Sequence, residues 1–209
     1  MSPTSFALLI FTLWLGCGIA VRIWLRRRRR HDPSPPPVTD RSGPRQWWGL
    51  VQAAWGVLGL AAPLATLGGL DPIVRLDRPE ITAAGVALAF LGCLGTLAAQ
   101  LAMGTSWRVG VNTGERPALV TRGPFRLVRN PIFTLMIAAA AGLVVLVPNV
   151  IALAGFAALL TAIHLQVRRV EEPYLQRVHY PSYQHYAGQV GRFLPGIGRL
   201  RIPRPDGRQ

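Results

Sequence analysis

Four apolar stretches alternate along the chain with short polar segments that are rich in arginine. The first three cover residues 6–25, 47–70 and 81–103, each close to the roughly 20 residues that a membrane-spanning helix needs. The fourth, residues 132–165, carries no formal charge and is too long for one span. Pro148 and Asn149 divide it near the middle, as a tight turn would. The pattern predicts an all-α integral membrane protein with about five transmembrane helices.

A helical hairpin is the simplest interpretation of the fourth stretch, with arms at residues 132–147 and 150–165. Both open ends of such a hairpin lie on the same face of the membrane. The segment before the first arm and the segment after the second are therefore neighbours in space. We expect Arg129 to lie close to Glu171 and Glu172 for this reason.

Charge sets the orientation of the predicted helices. All 23 residues counted as lysine or arginine are arginine, and the formal net charge is +14. These charges lie between apolar stretches, where the preference for cations on the cytoplasmic side accounts for them, so nucleic-acid binding is not predicted. Five consecutive arginines, residues 26–30, place that end of the first helix in the cytoplasm and the N-terminus outside. Five spans then leave the C-terminus cytoplasmic. The arginine-only, alanine-rich composition looks bacterial and suggests the inner (plasma) membrane.

Two acidic residues directly after the hairpin are candidates for chemistry. Glu171 and Glu172 are two of only nine acids in the chain, and membrane topology does not require acids there. Arg168 precedes them by three and four residues, so a local helical ion pair is one explanation. Neighbours on a helix point in different directions, however, and one carboxylate is free to face Arg126 and Arg129. Carboxylate and guanidinium together suit a ligand with a cation and an anion, such as an amino acid moiety.

The sequence around these charges carries a recognisable set of motifs. It reads GPFRLVRNPIF over residues 123–133, then Glu171-Glu172, then Tyr183 and Tyr186, then RFLP over residues 192–195. This ordered combination resembles the signature of the isoprenylcysteine carboxyl methyltransferase family, which is similar in turn to phospholipid N-methyltransferases. The resemblance covers residues 103–195. It implies an integral membrane methyltransferase that uses S-adenosylmethionine at the cytoplasmic side and a lipophilic or small thiol or carboxylate acceptor.

The resemblance also implies roles for individual residues. Arg129 is expected to hold the methionine carboxylate, and Glu171 or Glu172 its ammonium or the ribose. The full set expected to bind the cofactor is Gly123, Phe125, Arg129, Asn130, Pro131, Phe133, Glu171 and Glu172, with Phe125 and Phe133 packed around the adenine. The residues expected to position an anionic acceptor in catalysis are Arg126, Arg177 and Arg192. For Arg192, an anchor at the membrane interface is an equal alternative.

Asn130 and Thr134 are among the positions that depart from the family pattern. Asn130 stands where histidine is usual, and it cannot titrate near neutrality, so proton transfer at this position is not expected. Thr134 lies near a usual glycine. Two other functions stay open: a membrane NADPH-dependent reductase of the sterol or enone type, and a non-catalytic membrane scaffold of the same fold.

These expectations divide the chain into three parts. Residues 1–103 form three transmembrane helices with a cytoplasmic linker at residues 26–46 that is rich in arginine and proline. Residues 104–195 form the methyltransferase core: an inner loop, the hairpin at 132–165 and a cytoplasmic helical cap over the cofactor site. Residues 196–209 are expected to form a flexible basic tail. Cys17 and Cys93 are too few to form a metal site, and no metal is expected. The sequence does not determine the oligomeric state.

Overall fold

The computed structural model describes residues 1–29, 45–73, 76, 78–103 and 118–200, and its regular secondary structure is helical. In chain order the helices are α1 (Pro3–Arg29), α2 (Arg45–Gly56), α3 (Ala62–Leu67), α4 (Pro79–Met103), α5 (Pro131–Leu146), α6 (Val150–Gln166), α7 (Glu172–Val178) and α8 (Ser182–Gln189). A π-helical turn, Val57–Ala61, joins α2 to α3, and a second, Val167–Glu171, joins α6 to α7. Most of the predicted linker, the inner loop up to residue 117 and the tail from residue 201 lie outside the described residues.

Four helical stretches in the described part of the chain are long and apolar enough to cross a membrane. They are Pro3–Val21, Trp48–Leu67, Pro79–Met103 and Val150–Val178, and the shorter apolar helix α5 completes the set. The predicted all-α membrane fold is therefore confirmed.

The second arm of the hairpin continues further than predicted. The first arm begins and ends within one residue of the prediction, but the second runs on past residue 165 through the π-helical turn into α7. Charged side chains end an apolar run without breaking a helix, because they can project into water while the backbone stays hydrogen-bonded. The two glutamates consequently lie on a continuous helical element.

Small residues bring the first arm of the hairpin close to α4. A Cβ added to Gly92 would lie 2.5 Å from the backbone nitrogen of Ala139, and one added to Gly142 would overlap the backbone at Ala89. Only glycine permits this separation of the two helices, which is the packing that a Gly- and Ala-rich membrane helix favours. The close contact fixes α5, and with it the motif that immediately precedes α5.

The closed end of the hairpin is held by one buried amide. Asn149 is fully buried, and its side-chain oxygen caps α6 by accepting from the Ala152 backbone N–H at 2.8 Å. Its amide nitrogen donates to the Ala62 carbonyl oxygen at 2.8 Å and to the Thr66 hydroxyl at 2.9 Å. Each polar atom of this side chain has a partner, and α3 is thereby attached to the turn between α5 and α6.

The open end is covered by α7, α8 and the segment that follows them. The Arg129 N–H donates to the Gly191 carbonyl at 2.8 Å, and the Asn130 N–H donates to the Arg192 carbonyl at 3.1 Å. A side chain at Gly191 would collide with the backbone of Leu194, so this crossing requires glycine. The Leu200 N–H donates to the Ala187 carbonyl at 2.8 Å. Residues 196–200, assigned to the tail from sequence, therefore belong to the folded core.

Candidate functional site

A buried ion pair joins the motif before α5 to the helix after α6. Arg129 Nη1 lies 2.7 Å from Glu172 Oε1, and the two side chains are 1% and 9% exposed. The residues are 43 positions apart in the chain and meet because the hairpin returns to the same end. The proximity expected from the hairpin is thus present. Taking two charges out of water is costly, which makes such a pair a weak source of stability and a candidate for function.

Glu172 is shared with a second arginine. Arg192 donates from Nε to Oε1 and from Nη2 to Oε2, both at 2.8 Å, in the bidentate geometry that fits a carboxylate. This hydrogen bonding, ahead of any other influence, raises the pKa of Arg192. Arg192 was predicted to attract an anionic acceptor or to anchor the interface. In the structure its guanidinium binds Glu172.

The guanidinium of Arg129 has further partners and one unpaired donor. Nη1 also donates to the Tyr183 hydroxyl at 3.2 Å, and Nη2 donates to the Gly198 carbonyl at 2.6 Å. Its Nε is buried and has no hydrogen-bond acceptor among the described residues. Buried donors are rarely left unpaired, so this N–H indicates where an acceptor group of a ligand would be stabilised.

Glu171 has a different environment from its neighbour. It is half-buried, and its Oε1 accepts a hydrogen bond from Gln166 Nε2 at 3.2 Å. The π-helical turn between these residues brings positions five apart onto one face, whereas a regular α-helix would turn them about 140° apart. The Arg168 guanidinium, the local partner considered from sequence, lies 3.4 Å from His164 Nε2.

Two of the departures from the family pattern bind the backbone of the covering segment. Asn130 precedes Pro131, the first residue of α5, and its side-chain amide donates to the Arg192 carbonyl at 3.2 Å. The Thr134 hydroxyl donates to the Phe193 carbonyl at 2.8 Å. These side chains therefore hold the segment that carries Arg192 against the start of α5.

The remaining predicted residues fall into two groups. Phe125 and Phe133 are buried: the Phe125 carbonyl accepts from the Tyr186 hydroxyl at 2.6 Å, and the Phe133 ring packs on Trp48 with centroids 6.1 Å apart. Gly123 is exposed at a φ of +60°, a conformation that favours glycine. Arg126 and Arg177 are exposed and lie outside the charged cluster. Of the predicted site residues, the charged cluster contains Arg129, Glu172 and Arg192.

Residues 81–182 match the model of the family described as phospholipid methyltransferase. This region of the chain is therefore similar to the phospholipid methyltransferase family. This family of membrane methyltransferases includes those similar to the isoprenylcysteine carboxyl methyltransferases, so the predicted relationship is confirmed. No curated protein sequence gives a significant match.

The phospholipid methyltransferase match contains most of the charged cluster but not all of it. It spans α4 through α7 and includes Arg129, Glu171 and Glu172. Tyr183, Arg192 and Gly198 lie beyond its end, although all three contact Arg129 or Glu172. The covering segment at residues 190–200 therefore contributes contacts to the charged cluster from outside the matched region.

Two contributors to the site were not predicted as site residues. Gly198 interacts through a backbone carbonyl, for which a sequence offers no direct signal. Gln166 lies just beyond the predicted second arm, residues 150–165, and a regular helical period would place it on a different face from Glu171. The signal that the sequence offered was a polar amide directly after an apolar stretch, and the structure shows this amide to be fully buried.

Proposed function

We propose that this membrane methyltransferase uses S-adenosylmethionine, bound at the open end of the hairpin on the cytoplasmic side. The observation that carries the proposal is the buried Arg129 guanidinium with its unpaired Nε. It lies in a cluster with Arg192 and Glu172 in which two cations face one carboxylate. A carboxylate ligand would supply the acceptor that Nε lacks and balance the excess charge.

The residues present fit the amino acid end of this cofactor. Arg129 would bind the carboxylate through Nε. A side-on approach would also use Nη2, whose present acceptor is the Gly198 carbonyl, so the segment around Gly198 would give way to the ligand. Glu171 is the better candidate for the ammonium, because both oxygens of Glu172 are already paired with arginines.

When bound, S-adenosylmethionine supplies a methyl group made electrophilic by the positive sulfur that carries it. The acceptor atom would bond to the methyl carbon as the carbon–sulfur bond broke, and the electron pair of that bond would stay on sulfur. This displacement needs alignment and exclusion of water more than a strong acid or base. Arg129 and Glu172, fixed by Arg192 and Tyr183, provide a preorganised anchor for that alignment. The absence of a titrating side chain at Asn130 is consistent with this chemistry.

The acceptor is proposed to be a lipophilic or small thiol or carboxylate compound that arrives from the bilayer or the cytoplasmic surface. Arg126 and Arg177 are exposed cations that would attract an anionic acceptor, and Gly123, Phe125, Pro131 and Phe133 would shape the cofactor side of the site. The C-terminus would be cytoplasmic. A reporter fused after Gln209 is expected to read cytoplasmic, and an external reading would refute this orientation.

Ligand protection distinguishes the proposal from its alternatives. S-adenosylhomocysteine is expected to raise the unfolding temperature of the detergent-purified protein, and NADPH is not. Protection by NADPH alone would favour a reductase. A folded protein that neither ligand protects would favour a scaffold without catalysis.

A further inference from the structure

Gln166 is a buried side chain whose hydrogen-bonding capacity is only half used. It is fully buried at the end of α6, and its Nε2 donates to Glu171. Its Oε1 is buried and has no donor among the described residues. The amide nitrogen lies 3.2 Å from Glu171 Oε1, so the amide oxygen points away from this carboxyl group. An amide oxygen left in this state is costly unless a ligand supplies the donor.

The π-helical turn gives this arrangement a geometric cause. Gln166 is the residue directly before the turn, and Glu171 is its last residue. The additional residue in the turn aligns the two side chains, and such turns occur often at functional sites. The same turn leads into Glu172 at the start of α7, which places the pair one residue from the carboxylate that binds Arg129.

The neighbouring carboxylates of Glu171 and Glu172 differ in the hydrogen bonds that they accept. Glu172 receives three hydrogen bonds from Arg129 and Arg192. Among the described residues, Glu171 accepts a side-chain hydrogen bond from Gln166. Gln166 Oε1 and the Glu171 carboxylate therefore form a pair of acceptors beside a cluster with an excess of cations. A primary ammonium, with three N–H donors, complements such a pair.

We propose that Gln166 is a ligand-binding residue that accepts a hydrogen bond from the ammonium of the bound amino acid moiety, next to Glu171. This inference rests on the proposed function and adds a contact to the same site. It assigns Glu171 and Gln166 to the ammonium, and leaves Glu172 to hold the two arginines.

The test compares two ligands that differ in the amino acid part. S-adenosylhomocysteine carries the ammonium, whereas 5′-methylthioadenosine keeps the adenosine and the sulfur and lacks it. Gln166→Met retains the length of the side chain and removes the amide. We expect calorimetry to show that this variant binds S-adenosylhomocysteine about tenfold more weakly, which is the usual scale for a hydrogen bond to a charged group. Its affinity for 5′-methylthioadenosine is expected to be unchanged.

Two variants serve as controls in the same experiment. Glu171→Gln is expected to cause the same selective loss, which keeps the test decisive if the buried methionine impairs folding. Gln189→Met alters an exposed glutamine whose partner is His185, and it is expected to change neither affinity. Unfolding temperatures establish that each variant is folded.

Each outcome has a distinct meaning. Equal loss of both ligands in the Gln166 and Glu171 variants would show a structural role and overturn the inference. Unchanged binding of S-adenosylhomocysteine in the folded Gln166→Met variant would also overturn it while leaving the proposed function intact. Failure of the folded wild-type protein to bind S-adenosylhomocysteine would overturn the proposed function and the inference with it.

Discussion

The closed and open ends of the hairpin both bury polar side chains, but they satisfy them differently. At the closed end the neutral Asn149 side chain uses its oxygen and both amide hydrogens on Ala152, Ala62 and Thr66. At the open end the charged Arg129 and the neutral Gln166 each retain a buried atom without a partner in the described structure. A polar group that only supports the fold is expected to be fully paired. The difference therefore makes the open end, and not the closed end, the candidate for a ligand site.

The largest expected effect is the removal of the carboxylate that holds the open end together. Glu172→Ala leaves the buried Arg129 without its counterion and Arg192 without its bidentate partner. The free energy of unfolding is expected to fall by about 3–5 kcal/mol, because an uncompensated charge remains buried. Denaturant unfolding in detergent measures this change. The exposed Glu80→Ala provides the control, with a change of about 0.5 kcal/mol or less. A similarly small change for Glu172→Ala would contradict the interpretation of the cluster.

Alkaline pH is expected to lower the stability of the protein because Tyr186, in α8 at the open end, loses its proton. Burial raises the pKa of Tyr186 to about 12, from 10.0 in the unfolded chain. A raised pKa gives stability that is complete below pH 10 and is lost as the pH rises to about 12, because the unfolded state releases its proton first. The loss amounts to roughly 3 kcal/mol at most for two pKa units. In Tyr186→Phe, the free energy of unfolding is expected to fall less steeply between pH 10 and 12. An unchanged slope would show that other groups cause the decline.

The closed end is expected to affect stability without affecting binding. Asn149→Ala removes the cap of α6 and the amide that donates to the Ala62 carbonyl and the Thr66 hydroxyl. The free energy of unfolding is expected to fall by about 2 kcal/mol. The affinity for S-adenosylhomocysteine is expected to remain at the wild-type value when measured on the folded fraction. A large loss of affinity would remove the distinction between the two ends.

The smallest effect concerns the segment that covers the open end. Thr134→Val removes the hydroxyl that donates to the Phe193 carbonyl and nearly preserves the shape of the side chain. Stability is expected to decrease by about 1 kcal/mol, the usual value for one hydrogen bond. Limited proteolysis near residues 190–200 is expected to become faster in this variant. An unchanged cleavage rate would show that the contact does not hold the segment.

Much of the architecture could be predicted because it follows from the apolar pattern. The turn at Pro148 and Asn149, the arms on either side and the meeting of Arg129 with Glu172 all follow from hairpin geometry. The partners within the cluster could not be predicted from this pattern. A regular helix does not align Gln166 with Glu171, and the π-helical turn that does so has no simple sequence signal.

The contacts of the covering segment, residues 190–200, were the other feature that the apolar pattern could not predict. Its contacts are made largely through backbone atoms, such as the carbonyls of Gly191 and Gly198, which every residue possesses. The motif beginning at Arg192 indicated that the segment matters, but not that its guanidinium pairs with Glu172. From sequence alone, an irregular segment that contains arginines is equally compatible with an anchor at the membrane interface.

Calorimetric titration of the detergent-purified protein with S-adenosylhomocysteine tests most directly whether the open end is a cofactor site. We expect saturable one-to-one binding in the wild-type protein and in Asn149→Ala. We expect at least about tenfold weaker binding in Arg129→Lys, which keeps the charge and loses the planar group whose Nε is unpaired. Absence of binding to a folded wild-type protein, or equal affinity in Arg129→Lys, would contradict the account.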